Sequence, residues 1–271
     1  MRLFTRTLSR TAALTLGLIL LAYLAFIALG LPDGLLGVGW PSIRTDFAIP
    51  LDALGMLLVA STSGYLISSF FSGKLLAHLG VAKLLAISCA LTGAALIGNT
   101  LVPAWWMMVA LGVFSGLGAG AIDAGLNTYV AANFGPRLMQ WLHASYGIGV
   151  TFSPLIMTLA INTLNSWRSG YHIVGIAQMV LAACFLLTLP LWRKSAQTTS
   201  AGDSPRLTDY KTSIGETLLQ PKVWLSVLLF VLYTGAEVTL GTWAYTLLTE
   251  SRGVAPQAAG LWTGSYWATF T

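Results

Sequence analysis

Three of the nine acidic residues in this 271-residue chain sit where an acid is hardest to keep. Asp33, Asp123 and Glu237 fall inside long apolar runs, whereas Asp46, Asp52, Asp203, Asp209, Glu216 and Glu250 lie in loops or at helix ends. A carboxylate at the middle of a bilayer costs about 2.5–3.5 kcal/mol on insertion scales, and loss of water disfavours the charged form of any acid. An acid held there can bind and release a proton, and such acids mark ion or substrate pathways. The plainer alternative is an interhelical hydrogen bond with no further role. Asn127 follows Asp123 by four residues, one turn along the same helix face, and offers donors and acceptors to a polar solute; Tyr129 and Asn133 follow nearby. His143 and Gln140 open the next apolar run. That histidine reads either as an interface residue or as a member of the same pathway. The candidate proton-coupling and substrate residues are therefore Asp33, Asp123, Asn127, Glu237 and His143.

The elements that must position them are membrane helices. Hydrophobic residues make up 56% of the chain and charged residues only 8%, with a mean hydropathy of +0.75. A soluble chain carries roughly 25% charged residues to face water; here lipid must solvate the exterior. The net charge of +5 does not point to nucleic acid, because the Lys and Arg residues stand between apolar runs instead of clustering on one face. Cys89 and Cys184 both fall in apolar runs and form no metal or redox motif. The run from Ala12 to Leu31 is long enough to span a bilayer and has no cleavage site after it, so it is expected to remain as a first helix.

Spans are expected near Ala12–Trp40, Leu54–Ser72, Lys83–Leu101, Trp105–Asn133, Leu138–Leu159, Tyr171–Leu191 and Val223–Thr246, with an eighth starting near Gln257. Residues 192–222 are polar and read as a cytoplasmic linker. They separate a six-helix bundle over 1–191 from the start of a second bundle over 223–271. With the N-terminus placed in the cytoplasm, eleven Lys and Arg residues fall on that side, and Arg44, Arg168 and Arg252 on the other. That bias sets the orientation of a multi-pass protein of the cell membrane. Trp105, Trp106 and Trp167 are expected to be interfacial anchors.

Gly112, Gly116 and Gly120 recur every fourth residue in the fourth span, the spacing at which membrane helices approach most closely. There is no G-x-x-x-x-G-K-[ST] sequence, so no ATP-driven engine is visible. Asp33-Gly-Leu-Leu-Gly37 with Trp40 is matched by Glu237-Val-Thr-Leu-Gly241 with Trp243, and Gly55 by Gly260. The offset is 204 at the acids (237 − 33) and 205 at the later glycine (260 − 55). Parallel repeats of this kind build one large class of transporter.

Two stretches resemble the major facilitator superfamily, in particular its fucose-permease-like sugar:proton symporters. One is Gly30-Leu-Pro-Asp-Gly-Leu-Leu-Gly37 with Trp40-Pro41 and Phe47. The other is Gly116 to Val130 followed by His143-Ala-Ser-Tyr-Gly-Ile-Gly149. The resemblance implies an all-α, twelve-helix fold in which Asp33, Asp123 and Asn127 line a central cavity. The superfamily motif between the second and third spans is degenerate: Gly73, Leu75 and Gly80 fit, but Ala77 replaces the acid and His78 the basic residue. The chain ends at Trp267-Ala-Thr-Phe-Thr271, inside an apolar run, and is expected to be a fragment of the twelve-helix protein.

The expected function is secondary transport of a sugar or other small polar solute by alternating access, driven by protons. The partners are that solute, protons and the lipid bilayer; no cofactor and no enzymatic activity are expected. Two rivals stay open: an efflux permease for amphipathic compounds, and a membrane receptor or scaffold that moves nothing.

Overall fold

In lipid a backbone can satisfy its own polar groups only as a helix or a closed barrel. A computed structural model describes residues 2–199 and 214–269, with side chains over 16–192 and 215–269. Nine α-helices occur among the described residues: α1 Arg2–Asp46, α2 Leu54–Leu79, α3 Val81–Asn99, α4 Trp105–Asn133, α5 Pro136–Leu164, α6 Trp167–Thr199, α7 Ile214–Leu218, α8 Pro221–Thr246 and α9 Pro256–Ala268. A 3-10 turn Leu51–Ala53 precedes α2, and a π turn Leu247–Ser251 follows α8. Seven of these segments are long and apolar enough to cross a membrane. Large side chains such as Phe70 (77% exposed) and Leu187 (81%) project outward, as they would toward lipid.

The expected spans are all present, most with longer ends. Helix α1 runs on to Asp46 through Pro32 and Pro41. Helix α6 runs to Thr199, eight residues beyond Leu191, so the stretch expected to be a linker from residue 192 begins as helix. Residues 200–213 of that stretch lie outside the described residues. The linker's other end is also partly helical, because α7 covers Ile214–Leu218 and α8 starts at Pro221. Proline suits a first helical position, where its missing N–H costs nothing.

Glycine places the helices. A methyl group on Gly112 would fall 2.7 Å from a Leu57 methyl, and one on Gly116 3.0 Å from the Tyr65 amide, so this side of α4 lies directly on α2. Gly118 points the other way: a methyl there would fall 2.7 Å from the Ser88 carbonyl of α3. The Gly116-Leu-Gly-Ala-Gly120 sequence thus seats α4 on two neighbours at once. At Gly80, φ is +72°, a conformation that side chains disfavour, and this single residue turns α2 into α3. That gives the retained motif glycine a physical reason.

Two apolar cores result. One gathers Leu18 to Leu29 of α1 with Ile122, Leu126, Leu142, Phe185 and Trp192. The other gathers Leu35 to Ile43 of α1 with Leu54, Met108, Met157 and Trp167, and receives Tyr245 and Ala259 from α8 and α9. Between them on α1 lies the segment Gly30–Gly34, and Asp33 is in it.

Candidate functional site

Asp33 is exposed within the length of a membrane helix. The Tyr146 hydroxyl of α5 donates to its Oδ2 at 2.7 Å. The reach is short because α1 and α5 nearly touch: a methyl on Gly30 would fall 2.5 Å from the Tyr146 carbonyl oxygen. Asp123, half-buried on α4, is held on both oxygens. Asn127 Nδ2 donates to Oδ1 at 2.8 Å, and the Tyr65 hydroxyl of α2 donates to Oδ2. The α2–α4 contact at Gly116 and Gly120 brings the Tyr65 backbone against α4, so its side chain is aimed one turn further, at Asp123.

Glu237 is half-buried in the middle of α8, and the Tyr266 hydroxyl of α9 donates to its backbone carbonyl at 2.9 Å. These sites lie within electrostatic reach of one another. Tyr65 feels both Asp123 and Asp33, and Tyr146 feels Asp33, Tyr65 and Glu237. Acids from α1, α4 and α8 therefore share one electrostatic layer through Tyr65 and Tyr146. The described Lys and Arg side chains (Arg44, Lys74, Lys83, Arg137, Arg168, Lys222 and Arg252) lie in turns or near helix ends, so no cation among them neutralises this layer from mid-span. Among the described residues no group of three His, Cys, Asp or Glu is arranged to hold a metal ion.

His143 is not brought to the acids. It is exposed near the start of α5, with its ring 6.0 Å edge-on from Phe26. Tyr129 and Asn133 also leave the group. Tyr129 packs 5.1 Å from Trp192, and Asn133 donates to the Tyr129 carbonyl at 2.8 Å. Of the expected tryptophan anchors only Trp106 is exposed. Trp167 is buried and donates Nε1–H to Asp46 at 2.7 Å, while Trp105 packs 5.6 Å from Trp40. Tyr65 and Tyr146 were missed as site residues. The available signal for Tyr65 was the polar run Ser61-Thr-Ser-Gly-Tyr65 in an otherwise apolar helix.

The end of the bundle carrying Asp46 is tied shut. Arg168 Nη1 lies 2.5 Å from Asp46 Oδ2, joining α6 to α1. Arg44 Nη2 lies 2.8 Å from Glu250 Oε1, joining α1 to the π turn after α8. Below this, α1 crosses α8 at the repeated glycines: a methyl on Gly37 would fall 3.2 Å from the Gly241 carbonyl.

Membrane-length helices that carry acids with no described mid-span cation beside them define an integral membrane protein. Residues 8–271 match the sequence signature of the Major Facilitator Superfamily, and the chain belongs to that family. It is 25% identical over 287 residues to sodium-dependent glucose transporter 1 of Homo sapiens, covering 91% of this chain and 53% of that protein. It is 23% identical over 242 residues to the glucose/mannose transporter GlcP of Bacillus subtilis (strain 168), covering 86% of this chain and 58% of that one. A crystal structure of a D-xylose-proton symporter superposes with a TM-score of 0.64 at 16% identity, over 94% of this chain and 66% of the symporter. The chain spans little more than half the length of these two curated relatives.

Proposed function

We propose that this chain forms the first bundle and the start of the second in a secondary transporter that moves a sugar across the cell membrane, coupled to protons. The observation that carries the proposal is that Asp123 and Asp33 each take a tyrosine hydroxyl, with Glu237 in electrostatic reach of Tyr146 and no described mid-span cation. Retaining three acids in lipid is costly; a cation that binds from one side and leaves on the other gives them a task. The two sugar transporters among the relatives support the choice of solute. Asp33 is the proposed carrier, because only its Oδ2 has a described partner and Oδ1 is open. Asp123 and Asn127 form the proposed solute face, and Glu237 supplies the second part of the chain. The N-terminus is placed in the cytoplasm, with access alternating between the two ends. His143, whose described contact is with Phe26, is left out of the proposed site.

The rival coupling ion is sodium, since the human relative is described as sodium-dependent and a carboxylate suits either ion. Uptake of labelled D-glucose into proteoliposomes of the whole protein tests the proposal, under an imposed pH gradient or an imposed sodium gradient. Accumulation with the pH gradient alone is expected. Accumulation only with sodium replaces the ion, and no sugar flux under any gradient defeats the reading.

A further inference from the structure

Tyr65 and Tyr146, the tyrosines beside Asp123 and Asp33, have both committed their hydroxyl hydrogens. Tyr65 donates to Asp123 and Tyr146 to Asp33. A phenol has one hydrogen and lone pairs besides. Once that hydrogen is directed at the protein, the oxygen can only accept from a solute. While Asp33 is unprotonated its Oδ1 is an open acceptor as well, and Asn127 keeps one amide hydrogen after giving the other to Asp123. The described Lys and Arg side chains stay near the helix ends. Acceptors thus outnumber donors among these groups. Such a face complements a solute rich in O–H or N–H groups, and it opposes a solute that carries negative charge.

We propose that Tyr65 and Tyr146 are specificity-determining residues. They make this face of the site an acceptor surface that takes neutral or amine-bearing polyhydroxyl solutes and rejects carboxylates and phosphates. The inference rests on the transport reading above and adds the charge class of the solute and the two residues that set it. Both tyrosines are half-buried, and each hydroxyl is turned toward an acid. The acids turn the hydroxyl hydrogens away from the solute.

The test uses the whole protein and four compounds of one ring size: D-glucose, D-glucosamine, D-glucuronate and D-glucose 6-phosphate. In counterflow of labelled D-glucose, glucosamine is expected to compete as well as glucose, and the two anions at least roughly ten-fold more weakly. The Tyr65→Phe and Tyr146→Phe variants keep the ring and lose the oxygen. Each is expected to raise the half-inhibitory concentration of glucose roughly ten-fold, the size of one lost hydrogen bond to a solute. One deoxyglucose isomer should be disfavoured by the wild type and accepted by Tyr65→Phe as readily as glucose, which a merely structural tyrosine would not produce. Glucuronate competing as well as glucose overturns the inference, as does an unchanged deoxy preference in both variants.

Thermal stabilisation of the purified protein by the same four compounds separates this inference from the transport reading. Stabilisation by the neutral and amino sugars without any counterflow sinks transport and keeps the acceptor surface. Stabilisation by an anion alone, or by none of the four, sinks the acceptor surface.

Discussion

Arg44 and Glu250 face each other across 206 positions of sequence, with one Arg44 Nη2 lying 2.8 Å from both carboxylate oxygens. Arg44 is on α1, and Glu250 is in the π turn that follows α8. The contact therefore joins the two parts of the chain at the end opposite the N-terminus. Asp46, two residues further on, is held by Arg168 and Trp167 of α6 instead.

The Arg44–Glu250 pair is expected to break when that end opens, and the Asp46–Arg168 pair to persist. Both Arg44 and Glu250 side chains are about a third exposed (30% and 33%), so solvent screening leaves the bridge worth only about 0.2–1 kcal/mol. Arg44→Glu should then shift the balance toward the open end by up to about five-fold, by that free energy. Adding Glu250→Arg should restore it. Labelling of a cysteine at Thr242, beneath the bridge, by an impermeant thiol reagent reads the shift; equal labelling in all three proteins would remove the bridge from the closure.

The acids are expected to divide their roles. Asp33→Asn keeps shape and hydrogen bonding but cannot cycle a proton, so gradient-driven uptake should be lost while exchange persists. Asp123→Asn should weaken both, because Asn127 and Tyr65 are built around that carboxylate. The two assays run side by side on each variant decide it. Normal accumulation in both variants would return these acids to a structural role.

Gly116 and Gly73 are expected to respond in opposite directions to the same change. A methyl on Gly116 runs into the Ser61 carbonyl of α2, whereas one on Gly73 meets nothing within 4 Å. Gly116→Ala should destabilise by about 1–3 kcal/mol, the usual cost of overpacking. Gly73→Ala should stabilise by about 0.5–1 kcal/mol through helix propensity. Detergent-induced unfolding monitored by circular dichroism measures both. A tolerated Gly116→Ala would show that α2 and α4 are less closely apposed than described.

Orientation is open to a labelling test. Single cysteines at Ser9 and Ser204, with Cys89 and Cys184 replaced, should be shielded from an impermeant thiol reagent in intact cells. Ready labelling of either from outside would reverse the assignment drawn from the basic residues.

The spans were legible because a bilayer imposes a length on any helix that crosses it. Trp105–Asn133 is found with both ends as expected. The acids stood out for a related reason: an acid in an apolar run is costly and needs a partner or a task. Their tyrosine partners did not, because a tyrosine in a membrane protein reads first as an interfacial residue. Which helix Tyr65 faces is decided only when Gly116 and Gly120 bring α4 to it. His143 illustrates the converse, since on α5 its described contact is the ring of Phe26 and none with the acids. Trp167 misled in the same way; its indole is used by Asp46 inside the protein.

Backbone lies close on backbone where Gly116 of α4 meets α2 and Gly118 meets α3, with mostly small side chains around them to repack. Such a joint cannot slide by changing rotamers, so α2, α3 and α4 should travel together through any cycle, carrying Tyr65 and Asp123 as a fixed pair. The separation of two spin labels, one on α2 and one on α4, then becomes an internal ruler that reads the same in every ligand state. A second pair spanning α1 and α8 at Gly37 and Gly241 would read against it, and only that second distance should change.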